Sequence, residues 1–489
     1  MIRYTATYTD LYQLSMAQVY FETKRVSESA VFDYFFRKLP FGGGYAVFCG
    51  LDTLLEVVEN LHFDQEDIAF LRKNGFSEEF LKYLESFRFN GRIFSSREGD
   101  IVFPNRPVLQ VESTLLEAQI LETLLLNILN FQTLIATKAS RMQQVAGPTQ
   151  LVDFGLRRAQ GPAGYYAARA AVIGGFTATS NVRAARDFGL QASGTIAHSF
   201  VQSYKDELEA FRDFARHRPE NCVLLVDTYN TLKSGLPNAI AVAREMEERG
   251  QKLLGIRLDS GDLAYLAKES RKMLDDAGLD YVKIAASNQL DEQVIKSLRD
   301  QGAPIDLYGV GTSLVIGRPD AALDGVYKLT EVNGQPTIKL SESIKKISIP
   351  GRKQVFRLLD SRGNWIGADV VTLREEENTE KMFGPFDPLK SMHIGQCIKH
   401  PLLIPVMEKG RRVTSGKTVS EIAEFTREQL QKLPDEYKRF DHPHIYKIGL
   451  SGGLQQLRNQ LMSPLRKPFC RENERKIQDR GRRGNIPQA

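Results

Sequence analysis

The sequence is poor in cysteine, and its cysteines lie far apart. Its 489 residues include four, at positions 49, 222, 397 and 470, with no Cys-x-x-Cys pair. This scarcity argues against a structural zinc site or a disulfide framework and favours a protein of the reducing cytoplasm. The first ten residues, MIRYTATYTD, do not resemble a signal peptide, which agrees with a cytoplasmic location.

The sequence also lacks an uninterrupted apolar run long enough to cross a membrane. The most apolar stretch, residues 115–139, contains Glu117, Glu122, Asn127, Asn130 and Gln132. We predict a buried helix there, begun by a capping box of Thr114 and Glu117. No membrane partner is expected.

The chain has little net charge outside its C-terminal end. The formal charge is +5, and residues 464–489 contain eight Lys or Arg and three Asp or Glu, which accounts for all of it. Few large apolar side chains lie there, so we predict a basic, mostly disordered tail over residues 461–489. A nucleic-acid or membrane-surface role for this tail is the weaker alternative.

Between residues 150 and 320, apolar runs alternate with amphipathic helical patterns. The seven runs are LVDFGL, FTATS, QASGTIA, VLLVD, LLGIRL, YVKIAA and IDLYGV. Such alternation predicts parallel strands with helical crossovers, and about seven units favour a barrel over an open sheet. We therefore predict an α/β fold with an irregular parallel α/β barrel at residues 150–320.

The regions on either side of the barrel have mixed patterns. Residues 1–149 predict an N-terminal α+β domain, and residues 321–460 are rich in strand patterns broken by Asn-Gly and Ser-Arg-Gly turns. We predict that this β-rich C-terminal segment packs on the N-terminal domain.

Polar side chains follow nearly every strand of the predicted barrel. The segments are DFGLRRAQG, TSN, GTIAHS, DTYNT, RLDSGD, ASNQ and GVGTS. Parallel barrels build their sites at the carboxyl ends of their strands, so these segments predict one shared site.

DFGLRRAQG combines two arginines, Arg157 and Arg158, with the aromatic Phe154. Guanidinium groups bind carboxylates and phosphates, and an aromatic face stacks on a planar ring, so the segment indicates an anionic aromatic ligand. The alternative is that at least one arginine pairs with Asp153 or another acid. The sequence does not decide which arginine would contact a substrate.

GVGTS and IRLDSGDL suit phosphate groups in different ways. Gly309, Gly311 and Thr312 could bind a phosphate through backbone amides and a hydroxyl, although a tight strand-to-helix turn is the alternative. Arg257, Asp259 and Asp262 could hold a diphosphate with Mg²⁺ and a ribose hydroxyl, because Mg²⁺ prefers oxygen ligands. Asp262 is equally suited to cap the following helix.

His198 lies in SGTIAHSF, between a Ser-Gly-Thr turn and a helical pattern. It is either a reactive group at a helix start or a polar residue that completes a loop. Its position at a predicted strand end favours the reactive role. VDTYNT, with Asp227 and Thr228, only weakly resembles a ribose-binding loop of another transferase class, so no role is assigned to it.

Six segments taken together resemble nicotinate phosphoribosyltransferase, of the type II phosphoribosyltransferases. They are TDLYQLSMAQ (9–18), DFGLRRAQG (153–161), SGTIAHSF (193–200), VDTYNT (226–231), IRLDSGDL (256–263) and GVGTSL (309–314). The resemblance implies an irregular α/β barrel joined to an N-terminal sandwich domain, in a homodimer with sites at the interface. It also implies a cytoplasmic, ATP-dependent, ligase-type enzyme of NAD salvage, which makes nicotinate mononucleotide and diphosphate from nicotinate and phosphoribosyl diphosphate with Mg²⁺.

The same resemblance implies roles for individual residues. Tyr12, reaching in from the partner subunit, and Phe154 would sandwich the pyridine ring. Arg157 and Thr195 would neighbour the nicotinate carboxylate. His198 corresponds to the family's autophosphorylated histidine, which can attack the γ-phosphoryl group of ATP because neutral imidazole has a lone pair.

The remaining implied roles concern the sugar. Arg257 and Asp259 would border the ring and the ribose, and Gly309, Gly311 and Thr312 would bind the 5′-phosphate. The alternatives are nicotinamide phosphoribosyltransferase, the more distant quinolinate phosphoribosyltransferase, a catalytically silent homologue and a nucleic-acid-binding protein that uses the basic tail.

Overall fold

A computed structural model describes residues 4–339, 348–387 and 389–463 of the chain. Most of the predicted tail, residues 464–489, lies outside the described residues. Three large sheets, flanked by helices, make up the described part.

The helices and strands have the following bounds. The α-helices are α1 (Leu11–Glu22), α2 (Leu51–Glu59), α3 (Gln65–Lys73), α4 (Glu78–Glu85), α5 (Leu115–Ile120), α6 (Glu122–Ala146), α7 (Ala163–Ile173), α8 (Val182–Phe188), α9 (His198–Gln202), α10 (Glu207–His217), α11 (Leu236–Glu248), α12 (Leu263–Asp276), α13 (Glu292–Asp300), α14 (Thr312–Val315), α15 (Val419–Lys432) and α16 (Asp435–Lys438). Residues 452–463 form a further helix. The strands are β1 (Ser29–Phe36), β2 (Ala46–Val47), β3 (Arg92–Ser95), β4 (Ile101–Val102), β5 (Leu109–Thr114), β6 (Gln150–Asp153), β7 (Ala178–Thr179), β8 (Val223–Leu225), β9 (Gly255–Leu258), β10 (Lys283–Ala286), β11 (Leu307–Val310), β12 (Gly325–Val332), β13 (Gln335–Pro336), β14 (Lys353–Leu359), β15 (Trp365–Leu373), β16 (Lys381–Phe383), β17 (Ser391–His393), β18 (Ile398–Pro401), β19 (Ile404–Glu408), β20 (Arg411–Arg412) and β21 (Lys447–Ser451).

Six of the seven predicted apolar runs form one parallel sheet, in the order β7-β6-β11-β10-β9-β8. Helices follow these strands and bury apolar faces, as in α11, where Ala239, Val242, Ala243 and Met246 recur at helical spacing. The predicted alternation of parallel strands and helices is therefore confirmed.

The predicted barrel is not closed. Strands β7 and β8 are the two edges of the sheet, and no ladder joins them in the described part of the chain. The seventh run, QASGTIA, contributes a single bridge between Ala192 and Thr179. Its later residues are held by a side chain instead, because Arg257 donates to the Thr195 hydroxyl and the Ile196 carbonyl, at 2.9 and 3.5 Å.

The second sheet combines strands from both ends of the chain. Its order is β13-β12-β1-β5-β3-β19-β20, so strands after residue 320 pair with strands before residue 115. The third sheet, β17-β16-β21-β15-β14-β18, is formed entirely by the C-terminal segment. Later strands thus share hydrogen bonds with the N-terminal region.

The apolar stretch at 115–139 forms α5 and most of α6. Thr114 caps α5 by accepting from the Glu117 backbone amide, but the Glu117 carboxylate accepts from Asn90 and Ser113, so the capping box is incomplete. No helix in the described ranges is both long and apolar enough to span a membrane.

Candidate active site

Three of the predicted residues meet at the carboxyl edge of the parallel sheet. Arg257 is the penultimate residue of β9 and donates through Nη2 to Asp259 Oδ1 at 2.9 Å. The other oxygen of Asp259, Oδ2, lies 3.7 Å from Nε2 of His198, the first residue of α9. The structure thus joins a cation, a carboxylate and an imidazole from two separate segments.

Arg257 connects the ends of several strands. Besides Asp259, it donates through Nε to Ser287 Oγ and through Nη1 to Thr195 Oγ1, each at 2.9 Å. Its guanidinium carbon lies 5.4 Å from the centre of the Phe154 ring. A planar fork of donors can hold several acceptors in one geometry, so Arg257 fixes the relative positions of these groups.

Asp259 is held as a carboxylate. Partial burial raises its pKa, but hydrogen bonds from Ser287 and Arg257, with the positive charge of Arg257, outweigh this effect and leave the pKa below its ordinary value. Asp259 is therefore ionised at neutral pH and can accept a cation or a hydroxyl.

The two ring nitrogens of His198 face different groups. Nδ1 lies 3.2 Å from Thr228 Oγ1, whereas Nε2 faces Asp259 and lies 3.9 Å from Asp227 Oδ1. The side chain is 40% exposed. His198 therefore has fixed neighbours and yet remains accessible to a ligand.

Asp227 was assigned no role from the sequence, because VDTYNT only weakly resembles a ribose-binding loop. Its side chain is 1% exposed, and Oδ2 accepts from the Asp259 amide at 2.9 Å and from Ser260 Oγ at 2.5 Å. Oδ1 is buried without a hydrogen-bond partner. Buried polar atoms are normally paired, so this oxygen is a candidate ligand for a cation.

No cluster of three or more His, Cys, Asp or Glu residues suited to a metal occurs in the described part of the chain. Mg²⁺ commonly uses one or two carboxylates together with substrate phosphates, so Asp227 and Asp259 fit a shared site of that kind. Asp262 does not join them. It caps α12 by accepting from the Tyr265 amide at 3.1 Å, which is the alternative that the sequence left open.

Phe154 follows β6 and lies against Gly309 of β11. A Cβ atom on Gly309 would be 2.4 Å from the ring carbon Cε2, so the absence of a side chain at Gly309 makes room for the aromatic ring. Gly311 and Thr312 lie at the start of α14, with Thr312 exposed. A role for these three residues in phosphate binding stays a prediction.

Arg157 and Arg158 are both exposed in a short 3₁₀ turn, Leu156–Arg158. Neither side chain forms a hydrogen bond or ion pair with a described residue, and the Arg158 backbone amide donates to the Gly155 carbonyl at 2.8 Å. The Asp153 carboxylate accepts instead from the Gly155 amide at 2.8 Å and from Thr179 Oγ1 at 2.7 Å. Both arginines are therefore available to a ligand.

The segment after β10 has an unusual backbone that the sequence did not reveal. Asn288 and Gln289 have φ angles of 90° and 47°, and both side chains are exposed directly after Ser287. Two consecutive non-glycine residues in this region are costly and tend to occur at functional sites.

Tyr12 is not brought to the cluster within one chain. It lies on α1 and is 50% exposed, beside the exposed Tyr8 and Leu11. No contact joins it to His198 or Phe154 among the described residues.

Family models match three stretches of the chain. Residues 149–361 match the nicotinate phosphoribosyltransferase (NAPRTase) family, residues 7–130 its N-terminal domain and residues 352–458 its C-terminal domain. The chain is 45% identical over 454 residues to the nicotinate phosphoribosyltransferase of Bacillus subtilis (strain 168), covering 91% of this chain and 92% of the relative. It is 33% identical over 516 residues to that of Bos taurus, covering 93% and 96%.

Solved structures show the same similarity. The crystal structure of human nicotinic acid phosphoribosyltransferase has a TM-score of 0.82 and 32% identity, covering 93% of this chain and 99% of that one. Nicotinate-nucleotide pyrophosphorylase from Pyrococcus furiosus has a TM-score of 0.68 and 26% identity, covering 87% and 95%.

Proposed function

This chain belongs to the nicotinate phosphoribosyltransferase family, and we propose that it forms nicotinate mononucleotide and diphosphate from nicotinate and phosphoribosyl diphosphate. The observation that carries the proposal is the convergence of His198, Asp227, Arg257 and Asp259 at one edge of the parallel sheet. Its product would enter NAD salvage, and a cytoplasmic location is part of the proposal.

The aromatic and cationic side chains suit nicotinate. Phe154 offers a ring face beside Arg257, and the unpaired Arg157 can form a bidentate bond with the nicotinate carboxylate. Thr195, whose hydroxyl accepts a hydrogen bond from Arg257, is proposed to neighbour the same carboxylate. The pyridine nitrogen then forms a bond to ribose C1′ while the bond from C1′ to the diphosphate oxygen breaks. No general base is required, because that nitrogen carries no proton.

Asp227 and Asp259 would hold Mg²⁺ together with the substrate phosphates. Asp227 supplies a buried, unpartnered oxygen, and Asp259 is kept ionised by Ser287 and Arg257. The bound ion would neutralise the charge of the departing diphosphate. Gly309, Gly311 and Thr312 are proposed to bind the 5′-phosphate.

We assign the coupling to ATP hydrolysis to Nε2 of His198. If Nδ1–H donates to Thr228 Oγ1, the lone pair lies on Nε2, which has no hydrogen-bond partner among the described residues. Nε2 would form a bond to the γ-phosphorus of ATP while the bond to the β,γ-bridging oxygen breaks and ADP leaves. Hydrolysis of the phosphohistidine would release phosphate and regenerate the imidazole.

A homodimer would complete the site. Tyr12, exposed on α1 and away from the cluster of its own chain, is proposed to stack on the pyridine ring in the partner's site. Its exposed neighbours Tyr8 and Leu11 would then be covered by the other subunit.

Substrate choice tests the proposed reaction. Purified enzyme, assayed with nicotinate, nicotinamide and quinolinate in turn, should use nicotinate with the highest kcat/KM. Equal or better use of nicotinamide would contradict the proposal, and no turnover of any of the three would indicate a silent homologue.

Labelling tests the coupling. Incubation with ATP labelled in the γ-phosphate should leave acid-labile label on the wild type and none on a His198→Ala variant. A His217→Ala variant, which changes an exposed histidine at the end of α10, is the matched control and should keep the label. Label retained on His198→Ala would remove the phosphohistidine from the mechanism.

A further inference from the structure

Arg458 is a buried arginine that has no acidic partner in the described part of the chain. It lies on the helix at 452–463, is 7% exposed, and donates through Nη1 to the Pro385 carbonyl at 2.6 Å. Its Nε atom is buried with no hydrogen-bond partner, and burial lowers the pKa of the guanidinium group. Buried charges are normally paired, so this arrangement needs an explanation.

A second arginine faces the same space. Arg106 is 1% exposed; its Nε lies 2.8 Å from Asp369 Oδ2, and its Nη1 donates to the Pro107 carbonyl at 3.1 Å. Neither Nε nor Nη2 of Arg106 has a hydrogen-bond partner among the described residues, so its contact with Asp369 is an ion pair only. Arg106 and Arg458 both line one small cavity of about 20 Å³ between the second and third sheets.

The small cavity adjoins a larger groove of about 640 Å³, with which it shares Asn105, Pro385 and Phe386. Most of the groove is apolar, and its principal apolar side chains are Met382, Phe383, Phe386, Met392, Tyr446 and Ile448. A small cavity of about the size of a water molecule, lined by unpaired cationic donors, therefore lies beside an apolar groove.

The charges around the cavity favour an anion. Asp33 also lines it, but its two oxygens accept from Gln110 at 2.7 Å and pair with Lys353 at 3.0 Å. In the groove, Asp387 is paired with Lys390 at 3.8 Å, and Lys447 adds an exposed cation. Among the described residues that line the cavity, the buried donors without partners are therefore those of Arg106 and Arg458.

We propose that Arg106 and Arg458 form a binding site for a small organic carboxylate, whose head enters the small cavity and whose apolar body lies along the groove. The volume suits the head, because a single water needs roughly 10–15 Å³ and a tetrahedral phosphate needs considerably more than a flat carboxylate. Guanidinium donors bind carboxylates in the plane of the fork. The site lies between the second and third sheets and is independent of the proposed transferase reaction.

Sodium hexanoate is a suitable probe, because it has a carboxylate and a short apolar chain but no ring to stack on Phe154. At roughly ten times its Kd, hexanoate should raise the Tm of the wild type by about 1–2 °C. Hexanamide, which lacks the charge, should leave the Tm unchanged. Saturation-transfer NMR should detect bound hexanoate in the wild type.

Two variants separate a ligand site from a structural role. Arg458→Met should abolish the response to hexanoate while keeping the ligand-free Tm, because an apolar side chain replaces an unpaired charge. Phe386→Ala should weaken hexanoate binding about 3–10-fold by removing apolar contact. Arg439→Met, an exposed arginine near α16, is the matched control and should respond as the wild type does.

Three results would overturn the proposal. The first is an unchanged Tm of the wild type with hexanoate, which would mean that the cavity holds only water. The second is a Tm rise of Arg458→Met with hexanoate equal to that of the wild type. The third is a Tm rise of the wild type with hexanamide equal to that with hexanoate. A fall of several degrees in the ligand-free Tm of Arg458→Met, with the hexanoate response retained, would show a structural role instead.

Discussion

Two aspartates with buried side chains, Asp227 shortly after β8 of the parallel sheet and Asp369 in β15 of the third sheet, differ in how fully they are paired. The Asp369 side chain is 0% exposed, and its oxygens interact with Arg106 at 2.8 Å, Arg357 at 3.1 Å and Tyr446 at 2.8 Å. The Asp227 side chain is 1% exposed, but one of its oxygens has no hydrogen-bond partner. The two side chains are thus almost equally buried, but the oxygens of Asp369 are fully paired whereas one oxygen of Asp227 is open to a ligand.

The difference separates stability from function. A fully paired buried charge contributes to stability chiefly because removing it strands its partners. A buried charge that is incompletely paired reduces stability, and it is retained where a bound ligand supplies the missing partner. The same substitution, aspartate to asparagine, should therefore have opposite consequences at the two positions.

Asp369→Asn should produce the largest effect on stability. It leaves Arg106 and Arg357 without their shared counter-charge, so the free energy of unfolding should fall by ~3–5 kcal/mol. Urea titration would measure this change. Asp300→Asn, in an exposed pair with Lys296, is the control and should cost less than ~0.5 kcal/mol. A loss below ~1 kcal/mol at Asp369 would mean that the network contributes little.

Asp227→Asn should have little effect on folding but a large effect on catalysis. The amide oxygen can still accept from Asp259 and Ser260, so the unfolding free energy should change by less than ~1 kcal/mol. Loss of the charge beside His198 should lower kcat/KM for nicotinate by about 10²–10³-fold, equivalent to ~2.7–4 kcal/mol. Steady-state kinetics and urea titration on one preparation would measure kcat/KM and the free energy of unfolding. Destabilisation as large as that of Asp369→Asn would make Asp227 a structural residue.

The sequence predicted the parallel strands and the convergence of their carboxyl ends. The alternation of apolar runs with helical patterns, and the polar residues directly after each run, are local properties of the sequence. The sequence could not predict that the sheet stays open, because pairing between edge strands depends on contacts between residues distant in sequence. The hydrogen bond from Arg257 to the Ile196 carbonyl, for example, joins residues 61 apart. The sequence likewise missed Asp227, whose significance lies in an unpartnered oxygen and not in a motif. Gly309 was assigned to a phosphate from its G-x-G spacing, and that role stays a prediction. The spacing did not reveal that the missing side chain of Gly309 accommodates Phe154.

Ser287→Ala should have an intermediate effect with a diagnostic pH dependence. Ser287 donates to Asp259 and accepts from Arg257, and its hydrogen bond helps to lower the pKa of Asp259. Removal should lower kcat/KM about 10-fold, and the acid limb of the kcat/KM profile should move to higher pH because Asp259 then protonates more readily. A lower rate with an unshifted acid limb would contradict this positioning role.

Thr228→Val should have the smallest effect, and it concerns the histidine alone. Valine keeps the shape of the side chain but removes the hydroxyl that faces His198 Nδ1, so the imidazole loses the partner that holds its orientation and tautomer. The rate of His198 phosphorylation should fall about 3–10-fold, within the ~0.5–1.5 kcal/mol of one hydrogen bond.

Phosphorylation of the wild type should occur at Nε2, and antibodies specific for the two phosphohistidine isomers would measure this. In the variant neither ring nitrogen has a hydrogen-bond partner, so a mixture of the Nδ1 and Nε2 phosphohistidine isomers is expected. Phosphorylation of the wild type at Nδ1 would contradict the assignment to Nε2, because Thr228 would have to leave Nδ1 before ATP reacts and the carboxylates beside Nε2 would then only orient the ring.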